Sequence, residues 1–139
     1  MTATYAQARS EMFALLKAAW DPTTFKMVWP DKPDAKPSGR TPWARTTLRH
    51  NLGGQATLAN HAGVSRFRRE GILTVQIFTP SGEGLSRAYD LAKIIADALE
   101  GASTSRGVWF RNTRLNEVGP DGDWFQLNVT TDFIYDEIK

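Results

Sequence analysis

Cysteine is absent from the 139 residues, so disulfides, thiolate metal sites and thiol nucleophiles are excluded. Histidine is almost absent. His50 and His61 are eleven positions apart, with no clustered carboxylates around them, and form no zinc or iron ligand pattern. No apolar run approaches the roughly 20 residues of a membrane span. No basic stretch leads into an apolar one at the start, and the expectation is a soluble intracellular chain without a secretion signal. The Pro80-Ser81-Gly82-Glu83-Gly84 turn lies between a predicted strand and helix, where phosphate loops occur. It lacks the lysine and the third glycine of such loops, and Glu83 would repel a phosphate. There is no nucleophile elbow. Asp121 and Asp123 flank Gly122 as turn residues, without needing a glycosidase-type role. No catalytic residue, no metal and no cofactor is expected, and an enzyme is the weakest reading. Internal repeats and low-complexity tracts are also missing.

One stretch lacks charge of one sign. Residues 36–69 contain Lys36, Arg40, Arg45, Arg49, Arg66, Arg68 and Arg69 but no acid, although the whole chain is only +2. The end is the reverse: Asp121, Asp123, Asp132, Asp136 and Glu137 stand against Lys139 alone. A basic middle and an acidic end predict pairing, within one subunit or between neighbours. Unevenly charged solvated surface is the plainer alternative, because exposed ion pairs select weakly.

What is present centres on Gly71–Gly101. Ile72–Thr79 is β-branched and aromatic, as a buried strand should be, and Pro80 ends it. From Leu85 to Glu100 the period becomes helical, with Leu85, Ala88, Leu91, Ala92, Ile95 and Leu99 on one side and Gly101 as the closing residue. A first helix is predicted over 3–19, capped by Thr2 or Thr4 and ended by Asp21-Pro22. Phe25–Trp29 is a short strand. Residues 30–42, with four prolines, read as a surface loop that is either partner-contacting or merely loose. Trp43–His50 alternates, placing Trp43, Arg45, Thr47 and Arg49 on one face and Ala44, Thr46, Leu48 and His50 on the other. Asn51–Gln55 is turn-like. Strand pieces follow at 57–60 and 64–70, with His61–Gly63 a bulge or turn between them, and the second piece runs on into the buried strand. Its basic half is expected to project as an arm. Strands over 108–115 and 124–133 form a hairpin across the turn at Gly119–Asp123, with Phe125, Leu127, Val129, Thr131 and Phe133 on one face.

The chain thus predicts one α+β domain over 1–139: a single, mostly antiparallel sheet with two helices on one face, a Pro-rich loop at 30–42 and a projecting basic hairpin or arm at 43–70. The candidate contact residues are Arg45, Arg49, Arg66, Arg68 and Arg69 with Trp43 and Phe67, and Asp132, Asp136 and Glu137 opposite. Arginines interleaved with aromatics suit a nucleic-acid surface. They equally suit a protein interface, which five tryptophans in so short a chain favour.

The stretch Gly71–Gly84, with the Ala88, Leu91-Ala92 and Ile95 helix after it, resembles the tail-terminator-like proteins of long-tailed bacteriophages. The opening helix, the Val28-Trp29-Pro30 strand end, the Arg-rich hairpin and the closing β-hairpin follow the same order of elements. The resemblance implies an α+β structural virion protein that assembles with itself as a homohexameric ring. Such a ring caps the tail tube at its head-proximal end, stops the tail tube protein from polymerising, and presents a surface to a head-completion (stopper) protein. DNA would pass through the lumen without sequence-specific contact. The resemblance brings no cofactor, no catalytic residue and no membrane, and places assembly in the host cytoplasm. Another head–tail connector or tail-completion protein remains the neighbouring alternative, and a nucleic-acid-binding module the distant one. In a ring, the basic arm and the acidic end are expected to be the two patches that meet between subunits.

Overall fold

The computed structural model describes residues 2–30, 39–57 and 64–139. Most of the expected 30–42 loop, the strand piece at 57–60 and the His61–Gly63 bend lie outside them.

Helix α1 is Tyr5–Trp20. Thr4 caps it in a reciprocal box: its hydroxyl accepts from the Gln7 amide (3.2 Å), and the Gln7 side chain accepts from the Thr4 amide (3.0 Å). The helix starts later than predicted because residues 2 and 3 are used elsewhere. The Ala3 amide donates to the Asp136 carbonyl and the Ile138 amide donates to the Thr2 hydroxyl, so the chain's start runs beside its end. Five strands follow: β1 Lys26–Val28, β2 Trp43–Gln55, β3 Arg66–Pro80, β4 Trp109–Asp121 and β5 Trp124–Ile138, with helix α2 over Ser86–Leu99 between β3 and β4. The sheet order is β1-β2-β3-β5-β4. Only β1 and β2 are parallel; the other pairs are antiparallel.

Both helices cover one face. Met12 and Leu16 of α1 and Leu91, Ile95 and Leu99 of α2 are buried against Ala44, Leu73, Val75, Ile77, Leu127, Val129 and Phe133. Each of these side chains except that of Ala44 contributes about 1.5–3 kcal/mol by leaving water. The predicted alternation of β2 and β5 holds: the Ala44–His50 set and the Leu127–Phe133 set are the ones in register with β3's inward residues. Gly101 closes α2 at φ 71°.

The strands run longer than their sequences suggest. Asn51–Gln55 is no turn: β2 continues past a bulge between His50 and Leu52, with Gly53 opposite Arg69 and Gly54 opposite Arg68. Likewise β4 carries Gly119 and Pro120 inside the strand, leaving only Gly122-Asp123 as the turn. Pro120 sits on an edge strand, where a missing amide hydrogen is tolerated. In each case a neighbouring strand supplies the ladder that local propensity does not. The basic half of β3 is not an arm. Residues 66–70 lie inside the sheet, between Leu52–Gln55 of β2 and Ile134–Ile138 of β5.

Candidate assembly surface

The sheet face away from the helices is polar, and its charges meet across strands. Arg68 stands directly opposite Asp136. Its Nε lies 3.4 Å from Oδ1 of that carboxylate, and the Nε of Arg66 lies 3.8 Å from Oδ2. Arg114 reaches Asp132 at 3.3 Å, and Arg111 spans β5 to reach Glu70 at 3.5 Å. Arg45 donates to Gln76 and lies over the Trp43 and Phe78 rings. The predicted pairing of basic middle and acidic end is therefore present within one subunit. It follows from register: two strands far apart in sequence become neighbours in the sheet.

Arg69 points the other way, under the start of α1. Its guanidinium donates to Glu137 at 3.1 Å, both side chains being largely buried, and lies over the Tyr5 and Phe67 rings. His50 and Tyr135 meet beside it, with Nε2 and the phenolic oxygen 2.7 Å apart. Burial, and then the Arg69 charge, lower the His50 pKa; burial raises that of Tyr135 well above the usual phenol value. Both stay neutral at pH 7, so this cluster fastens the helix to the sheet. Arg69→Met keeps the stem but leaves Glu137 without its cation. It is expected to lower unfolding free energy by about 2 kcal/mol, measured by urea denaturation with an unchanged slope.

The other expected residues are placed as follows. Trp43 is buried, stacked on Phe78 at 4.2 Å between centroids and edge-on to Trp124. Phe67 is half-buried between Arg69 and Lys139. Arg45 and Arg49 are exposed on β2. The structure brings Arg66, Arg68 and Asp136 together on the open face, and Arg69, Phe67 and Glu137 on the helix side; Arg49 stays apart from both.

Two surfaces escape sequence reading. One is a groove of about 310 Å³ between α2 and β4, floored by Ala92, Ala96 and Val129 and walled by Tyr89 and Leu115. Tyr89 and Leu115 are 41% and 39% exposed, large for apolar side chains. The other is a recess of about 450 Å³ on the far flank of α1, lined by Arg9, Phe13, Lys17 and Trp29 among others. The signal for the first was Tyr89, an aromatic lying off the apolar stripe of its helix.

Among the described residues no helix is long and apolar enough to cross a membrane. No three His, Asp or Glu side chains among them cluster to hold a metal ion. No curated protein matches the sequence. Among the solved structures that are similar, one matches over 91% of this chain and 94% of its own, with a TM-score of 0.65 and 11% identity, a likeness that shows the fold. The family model described as phage tail terminator protein matches residues 7–132, nearly the whole sheet and both helices. The chain is a member of the phage tail terminator family.

Proposed function

We propose that this tail component forms a ring that caps the head-proximal end of the tail tube, halts its polymerisation and joins it to the head-completion protein. The family membership supports the tail role. The observation that carries the ring is the inequality of the two sheet edges. One is the short parallel strand β1 beside α1; the other is the long strand β4 beside α2. A contact between unlike edges is heterologous, and such contacts close into rings when the rotation per subunit permits. Six subunits, and DNA passing through the lumen unread, are the numbers and cargo the family suggests.

Of the residues expected between subunits, Arg49 remains directed to solvent from β2, and Arg45 is exposed there while held by Gln76 over the Trp43 and Phe78 rings. Arg66 and Arg68 share the single carboxylate Asp136, leaving one net positive charge for a neighbour. The role is structural and includes no reaction step. Negative-stain microscopy of the protein, alone and with polymerising tube subunits, tests the reading. Six-fold rings, or tubes capped at one end and arrested in length, are expected. A monomer that ignores tubes but retards DNA in a gel would overturn it in favour of nucleic-acid binding, and its affinity would then fall steeply with salt.

A further inference from the structure

The charges left over after internal pairing are sorted across the molecule. Ion pairs occupy Lys17 with Asp21, Glu83 with Arg87, Lys93 with Asp97, and the sheet-face pairs above. Glu11 accepts from the Ser105 hydroxyl and the Arg106 amide. The carboxylates with no side-chain partner among the described residues are Asp90 on α2, Glu100 directly after it, Glu117 and Asp121 on β4, and Asp123 in the turn that follows. All lie on one side of the sheet or at its hairpin tip. The arginines in the same state are Arg9 on α1 and Arg49 on β2, on the opposite side, and Arg40, whose guanidinium donates to the Ser81 carbonyl near the hairpin tip; Arg106 lies beside Glu11.

The apolar surface is sorted in the same way. Tyr89 and Leu115 stand exposed on the α2–β4 flank, whereas the α1 flank offers a recess walled by Phe13 and Trp29 beneath Arg9 and Lys17. The two β4 bulges, one between Arg111 and Arg114 with Asn112 at φ 55° and one between Glu117 and Gly119, break the hydrogen-bonding edge. Strand-to-strand addition at β4 is thereby disfavoured. A partner on this side must engage side chains.

We infer that the α2–β4 flank of one copy docks on the α1–β1 flank of the next, Tyr89 and Leu115 covering the Phe13–Trp29 recess and the unpaired carboxylates facing Arg9. The occupant is a second copy because both halves of the match are on one chain: knob and recess, residual negative and residual positive charge, on opposite edges of one sheet. This inference rests on the ring reading, and it replaces the contact within the sheet face by one between the helix flanks.

The test uses two variants altered only at exposed positions, each checked for wild-type circular dichroism and melting. Tyr89→Arg/Glu100→Arg spoils the α2–β4 flank; Ser10→Trp/Ala14→Trp fills the α1 recess and leaves Arg9 in place, so the two altered flanks still repel in the mixture. Neither should assemble alone. Mixed, each supplies the flank the other lacks, so light scattering should show a one-to-one dimer that grows no further. Assembly of either variant like wild type would overturn the inference while leaving the ring standing, as would a mixture with no dimer. A wild type that stays monomeric with and without tube subunits sinks the ring reading itself. A second measurement exploits the cysteine-free sequence. The Ser10→Cys/Ala96→Cys chain, oxidised in its assembled state, should run as a ladder of disulfide-linked oligomers, whereas monomer alone would refute the contact.

Discussion

Gly71→Ala is expected to cost about 3 kcal/mol or more of stability and to lower the melting temperature by on the order of 10 °C. Gly71 is buried in the middle of β3, paired with His50 of β2 and Phe133 of β5. A Cβ at this position would overlap the carbonyl oxygen of Arg49 and the ring of Phe133. Neither can withdraw cheaply. The carbonyl belongs to the neighbouring strand, just before the bulge in β2, and the ring is buried in the core and edge-on to His50. The glycine is therefore required for space, with the aromatic ring filling the void it leaves. Gly54→Ala is the matched control, since nothing lies within 4 Å of its Cβ position; its effect should stay within about 0.5 kcal/mol. Phe133→Leu in the Gly71→Ala background removes one of the two overlaps and should restore stability only in part. A Gly71→Ala protein that melts with wild type would show that β2 moves aside freely, against the close approach drawn here.

The region around Gly71 also shows what the sequence reveals and where it fails. Alternation in Trp43–His50 and the strand–turn–helix unit from Ile72 to Glu100 are local patterns, and they place the inward faces and the second helix correctly. The ends of β2, β4 and β5 are decided by partners far along the chain. Asn-Leu-Gly-Gly-Gln has poor strand propensity, yet Arg68 and Arg69 hold it extended, and Asp136 and Tyr135 hold them in turn. Charge segregation announced that the basic and acidic segments would meet, but only register shows that Arg68 faces Asp136 within one subunit. Leu115 is the clearest failure of pattern reading. Counted from Phe110, strict alternation turns it away from the helices. The bulge between Arg111 and Arg114 adds one residue and brings it back beside α2, opposite Val129, where it forms a wall of the groove. That part of the candidate surface depends on one positive φ at Asn112, which composition does not disclose.

Trp20→Ala should destabilise the protein by about 3–5 kcal/mol, the range for emptying a buried aromatic site, and Trp20→Phe by about 1–2 kcal/mol. Trp20 ends α1 and is 1% exposed. Its Nε1 donates to the Phe25 carbonyl at 2.9 Å, across a tight reversal in which Thr24 takes φ 62°. The Thr23 hydroxyl donates back to the Trp20 carbonyl at 2.7 Å. The indole is thus both core filler and the tie that delivers the chain into β1. Phenylalanine keeps most of the filling and removes the tie, leaving a half-buried carbonyl to find water. Because β1 is only three residues long, pairs with one strand and lies at the sheet edge, its loosening should be local. In Trp20→Phe, hydrogen exchange at Lys26–Val28 should quicken more than at the centre of β3. Uniform quickening across the sheet would reduce Trp20 to packing alone. The distinction reaches assembly, since Trp29 follows β1 directly and walls the recess proposed to receive Tyr89. If the tie holds that wall in place, Trp20→Phe should weaken subunit contact at temperatures where the monomer is still fully folded, and light scattering at fixed protein concentration would register the loss.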